Sequence, residues 1–119
     1  MEKIFYNKLI RDNIPDKMEK KGSAFEINTL GNEEFEEELI KKVEEEASGL
    51  QNSKSKEDFV AEIADIMDVV DEIKKIKNIS NKEIKEKQKK NFEKKGGFDK
   101  KIFLVWSEKD DYKSNEIRR

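Results

Sequence analysis

The chain has no cysteine and no histidine among its 119 residues. That excludes a thiol nucleophile, a disulfide, an imidazole base, a Ser-His-Asp triad and any Cys/His zinc site. Carboxylate and Lys/Arg chemistry is what is left, and carboxylate oxygens are hard ligands suited to Mg²⁺ or Mn²⁺. Proline occurs once and glycine five times. Little therefore interrupts a helix, and the many Lys and Glu residues favour one. Long apolar runs are also missing. No stretch is suited to spanning a bilayer, and the opening MEKIFYNKLIR has no apolar run of signal-peptide length, so a cytoplasmic protein is expected. Hydrophobic residues make up 34% against 45% charged. That is a thin core for one domain, and it implies either partial disorder or completion by a second copy of the chain.

The formal net charge of −2 hides an asymmetry. Residues 33–72 carry 15 acidic and 4 basic side chains, a net of −11, whereas residues 73–101 carry 12 basic and 4 acidic ones, a net of +8. Such a division suits a cation and a polyanion held in one site, helices that attract each other, or a solvated surface. In chain order, residues 1–15 read as an extended segment, and Pro15 opens a short helix, PDKMEKK, that Gly22 caps. Residues 23–30 read as extended, with a short strand as an option. Asn32 is the expected N-cap of a long helix from Glu33 to about Leu50. QNSKSK then forms a polar loop, and Ser55-x-x-Asp58 resembles a capping box for a second long helix reaching about Lys77. Ser80-x-x-Glu83 opens a last, Lys-rich helix from Asn81 to about Lys95, ended by Gly96-Gly97. KKIFLVW, residues 100–106, is apolar enough to dock as an extended segment. The expected organisation is one domain over residues 1–106 and a polar tail over 107–119.

Two helices carry acids where a plain amphipathic helix would not. At about 100° per residue, Val69, Ile73, Ile66, Phe59, Val70, Ile63, Met67 and Val60 form one apolar arc. Glu62 falls inside it, between Val69 and Ile73, and Asp65 lies at its edge. On the preceding helix, Phe35, Leu39, Ile40, Val43, Ala47 and Leu50 build the apolar face, and Glu46 lands between Phe35 and Leu39. A carboxylate on a buried face must be paired, protonated or bound to a metal. Two helices each bearing one can place them face to face, with Glu45 beside them. The chemistry this suits is metal-assisted hydrolysis of a phosphoanhydride, with a carboxylate as base and with Lys8, Arg11 and the basic last helix meeting the phosphates.

Three blocks in order resemble the MazG-like, all-α nucleoside triphosphate pyrophosphohydrolase superfamily. The resemblance is to its small branch, often labelled phosphoribosyl-ATP pyrophosphohydrolase-like or house-cleaning pyrophosphatase. They are the opening Asn7-Lys-Leu-Ile-Arg-Asp-Asn-Ile-Pro15, the split acidic motif of Glu45, Glu46, Glu62 and Asp65, and Lys95-Gly-Gly-Phe98 followed by KKIFL. The resemblance implies an all-α antiparallel helical bundle completed as a homodimer or homotetramer, with short extended terminal segments. It implies a nucleotide substrate cleaved between the α and β phosphates, and Glu45, Glu46, Glu62 and Asp65 as catalytic residues. Of these, Glu46, Glu62 and Asp65 would hold Mg²⁺ (or Mn²⁺), while Lys8, Arg11, Lys94 and Lys95 would contact phosphate.

One position departs from the pattern. The third Glu of the first half-motif falls at Gly49, which removes a ligand and costs the helix about 1 kcal/mol relative to alanine. An alternative is therefore a catalytically impaired relative that binds a nucleotide or a protein. A nucleic-acid-binding role for the Lys-rich helix is disfavoured, because Phe92 is its only interleaved aromatic and the chain as a whole is acidic.

Overall fold

The computed structural model describes residues 2–108 and contains four helices with no strand among them: α1 (Ile14–Lys20), α2 (Asn32–Gln51), α3 (Lys56–Ile76) and α4 (Asn81–Lys95). The expected tail lies mostly outside the described residues. The chain divides into two compact units, Met1–Asn81 and Lys82–Arg119.

In the first unit, α1 starts around Pro15, whose fixed φ suits a first turn. It ends as the glycine predicts. Gly22 adopts φ +75°, the Gly22 N–H donates to the Glu19 carbonyl at 3.0 Å, and the Ser23 N–H donates to the Met18 carbonyl at 3.1 Å. Residues 23–30 form no strand. An extended segment becomes a strand only by pairing, and no second strand exists among the described residues to pair with it. The N-cap of α2 is Gly31, one residue before the expected Asn32, and no side chain caps it. Asn32 instead sits within the first turn. The capping box at α3 is half formed. Ser55 Oγ accepts from the Asp58 N–H at 3.1 Å, but the shorter Asp58 carboxylate accepts from the Lys54 N–H at 3.3 Å rather than from the cap residue itself.

α2 and α3 are joined by residues 52–55 and pack on each other as a hairpin. Its seam uses only part of each predicted apolar face. On α2 the half-buried residues include Phe35, Val43, Glu46, Gly49 and Leu50, around Leu39, which is 5% exposed and the one buried side chain among the described residues. On α3 they include Glu62, Asp65, Ile66, Val69 and Ile73. The rest of the α3 arc is exposed, with Val60 at 58%, Ile63 at 47% and Met67 at 59%.

The second unit holds α4 from Lys82 onward. Gly96 ends the helix at φ +80°, its N–H donating to the Phe92 carbonyl at 2.8 Å. The 100–106 segment does not dock as expected within its own unit. Ile102, Phe103, Leu104, Val105 and Trp106 are all exposed, because a single polar helix offers no apolar face to receive them.

Candidate functional site

The α2–α3 hairpin brings Glu46, Glu62 and Asp65 together. One carboxylate oxygen from each lies within 4.8 Å of the other two. The spacing explains the placement. Glu62 and Asp65 are one turn apart on the seam side of α3, and Glu46 stands on the seam side of α2. All three are half-buried. Among the described residues this is the one group of three acids with the spacing a metal ion needs.

The opening segment lies across both helices at this point. Lys8 Nζ donates to Glu45 on α2 at 2.9 Å. Arg11 Nη2 donates to Asp65 at 2.9 Å and to Asp68 at 2.8 Å, both on α3. Asn7, at φ 46°, turns the chain just before Lys8, a left-handed conformation that asparagine tolerates better than most side chains. The Leu9 carbonyl accepts from Lys42 Nζ at 3.1 Å. Six of the expected site residues therefore share one place: Lys8, Arg11, Glu45, Glu46, Glu62 and Asp65. Lys94 and Lys95 stand in the last turn of α4, in the second unit.

Lys42 is the participant that sequence reasoning passed over. Its ammonium lies 3.3 Å from Glu45 and 3.6 Å from Glu46, and its side chain is only 17% exposed. The signal was available as spacing, since a lysine three and four residues before two glutamates shares their helix face.

The two neighbouring glutamates are driven in opposite directions. Glu45 is held below the usual carboxylate range, chiefly by its hydrogen bond from Lys8, with Lys42 adding to the effect. Glu46 is pushed up. Burial is the largest cause, followed by repulsion from Asp65 and a hydrogen bond with Glu62, and Lys42 opposes them. Lys8 and Arg11 are each held above their ordinary values, first through their bonds to Glu45 and to Asp68 respectively. The cluster thus has more negative charge than its surroundings neutralise, and hard oxygen donors to offer a cation.

Beside Glu62, an open pocket of about 270 Å³ is lined by Gly49, Asn52, Ser53, Asp58, Ala61 and Glu62. Ser53 Oγ donates to the Gly49 carbonyl and Asn52 Nδ2 to the Ser48 carbonyl, which ties off the end of α2 at the pocket's edge. No described helix is long and apolar enough to cross a membrane. Compared with protein-family models, curated proteins and solved structures, the chain matches none.

Proposed function

We propose that the protein is a Mg²⁺-dependent nucleotide pyrophosphohydrolase, cleaving a nucleoside triphosphate or a related nucleotide between the α and β phosphates to a monophosphate and pyrophosphate. The observation that carries this reading is the group of three acids, Glu46, Glu62 and Asp65, within 4.8 Å and flanked by Lys8 and Arg11. The MazG-like resemblance of the three sequence blocks supports it. Glu46, Glu62 and Asp65 would hold the ion, with Mn²⁺ as a substitute. When bound, the ion supplies Lewis acidity at a phosphoryl oxygen. Lys8 and Arg11, both on the exposed side of the cluster, bind the phosphates and exchange their present carboxylate partners for phosphate oxygens. Lys94 and Lys95 belong to the same proposal as further phosphate contacts. In a chain without histidine, a carboxylate of the cluster accepts the proton of the attacking water.

The chain works as a homo-oligomer in this reading. One buried side chain, with Val60, Ile63 and Met67 left outside, is too little apolar burial for a stable isolated hairpin. Pyrophosphate release from a panel of nucleoside triphosphates, with Mg²⁺ and with a Glu62→Gln control, tests the activity. Release that requires Mg²⁺ and is lost in the variant is the expected result. Gly49 favours a second reading, in which the protein binds a nucleotide or a partner without turnover. A folded wild-type protein that releases no pyrophosphate from any substrate would select that one.

A further inference from the structure

The residue that departs from the acidic motif is in contact with the motif itself. A Cβ added at Gly49 would lie 2.5 Å from Glu62 Oε2, 2.7 Å from its Cδ and 2.9 Å from Oε1. The Glu62 carboxylate therefore rests on the backbone of α2, in the volume that any side chain at position 49 would enter. Gly49 has no positive φ to explain its presence there, unlike Gly22 and Gly96. It stands inside a helix, where glycine is a poor residue. Its one structural consequence on this side is the space that Glu62 fills.

We infer that Gly49 is a positioning residue for Glu62, and that the site it shapes takes a single divalent cation. The inference rests on the metal-binding reading above. The seat on α2 keeps the Glu62 carboxylate beside Glu46 and Asp65. A side chain at 49 would push that carboxylate aside, and the displacement is easy because it moves the far end of a flexible side chain rather than backbone. The fold tolerates the change and the site bears it. Position 49 does not lack a fourth ligand that could simply be restored. A glutamate there competes with Glu62 for the same volume, so three carboxylates from two helices remain the whole protein contribution to one ion.

The test is a Mn²⁺ titration of the full chain, followed by the paramagnetic signal of the free ion, with thermal melts in parallel. Wild type should take up one ion per chain. Gly49→Ala should melt at a higher temperature without metal, because alanine is the better helix residue, yet bind Mn²⁺ at least tenfold more weakly. Gly49→Glu should also bind more weakly and take up no second ion. In a Glu62→Gln background, Gly49→Ala should change Mn²⁺ affinity no further, an interdependence that a purely structural effect would not produce. Unchanged or tighter binding by Gly49→Ala, or a second ion in Gly49→Glu, overturns the inference while leaving the metal site standing. No Mn²⁺ uptake by folded wild type overturns both.

Discussion

Replacing Lys42 by methionine isolates the charge balance at the cluster, because methionine keeps the packing of the lysine stem and deletes only the ammonium. Three contacts are lost: Glu46 at 3.6 Å, Glu45 at 3.3 Å and the Leu9 carbonyl at 3.1 Å. A hydrogen bond to a charged group is worth about 1.5–3 kcal/mol. The Glu45 share must be discounted, since that side chain is 39% exposed and keeps Lys8. Relief of the lysine's own desolvation offsets more. The net loss near neutral pH should be about 1–2 kcal/mol, on the order of 5–10 °C in melting temperature at fixed protein concentration.

The loss should also depend on pH. Glu46 has a raised pKa when folded, so the native state holds its proton to higher pH than the unfolded chain does. Stability contributed by this group is therefore present at low pH and is lost as pH rises through the window above the ordinary carboxylate value. Lys42 opposes that shift, and its removal enlarges the penalty at neutral pH. At about pH 5, where Glu46 is closer to its protonated form, the ammonium has less charge to face there. Glu45 is held low, so its contact with Lys42 is the less sensitive of the two to this change of pH. Urea unfolding at about pH 7.5 and about pH 5 should give a Lys42→Met loss that is larger at the higher pH. Equal losses at both would refute this account of Glu46.

Two further changes separate surface charge from packing. Arg11→Gln removes two ion pairs from a side chain that is 61% exposed, so stability should fall by no more than about 1 kcal/mol. Nucleotide affinity in an equilibrium binding assay should nevertheless fall at least tenfold, and unchanged affinity would remove Arg11 from the phosphate site. Ile63→Asp places a charge on the outward half of the α3 face, at a residue 47% exposed within the hairpin. It should convert the proposed oligomer to a monomer or unfold it, read by sedimentation velocity, whereas a wild-type protein that sediments as a stable folded monomer would refute that proposal.

Much of the first unit can be read from periodicity. The two long helices end within a residue or so of where their apolar spacing stops, and Glu46, Glu62 and Asp65 stand out because each interrupts or borders an apolar arc. A helical wheel gives an angle and not a partner, and this accounts for what it missed. It could not tell that the seam takes Ile66, Val69 and Ile73 while Val60, Ile63 and Met67 face out. Nor could it show Lys42 reaching the Leu9 carbonyl, which is 33 residues away in the chain. A strand at 23–30 depends on a pairing partner that only the whole fold can supply or withhold, and docking of residues 100–106 depends on a receiving face in the same way. Gly49 is the sharpest case. As a letter it reads as a missing ligand, and only the approach of α3 shows that the vacated space is taken by Glu62.

The distribution of cations around the cluster argues that Glu45 and Glu46, adjacent in sequence, have different duties. Lys8 and Lys42 both reach Glu45, so its charge is already matched, and the Lys8 contact ties the opening segment to α2. Arg11 spans Asp65 and Asp68 and does the same on α3. Glu46 receives only the longer contact from Lys42, and no cation among the described residues forms an ion pair with Glu62. The pair Glu46–Glu62 is thus the point where like charges meet with the least internal compensation, and burial raises the cost of keeping Glu46 ionised. Either a proton or an external cation must supply the balance. The upward push on Glu46 is in the direction of the proton. A divalent ion bound by one oxygen each of Glu46, Glu62 and Asp65 would displace it, and the exposed grip of Arg11 on the Asp65 carboxylate is loose enough to allow the exchange.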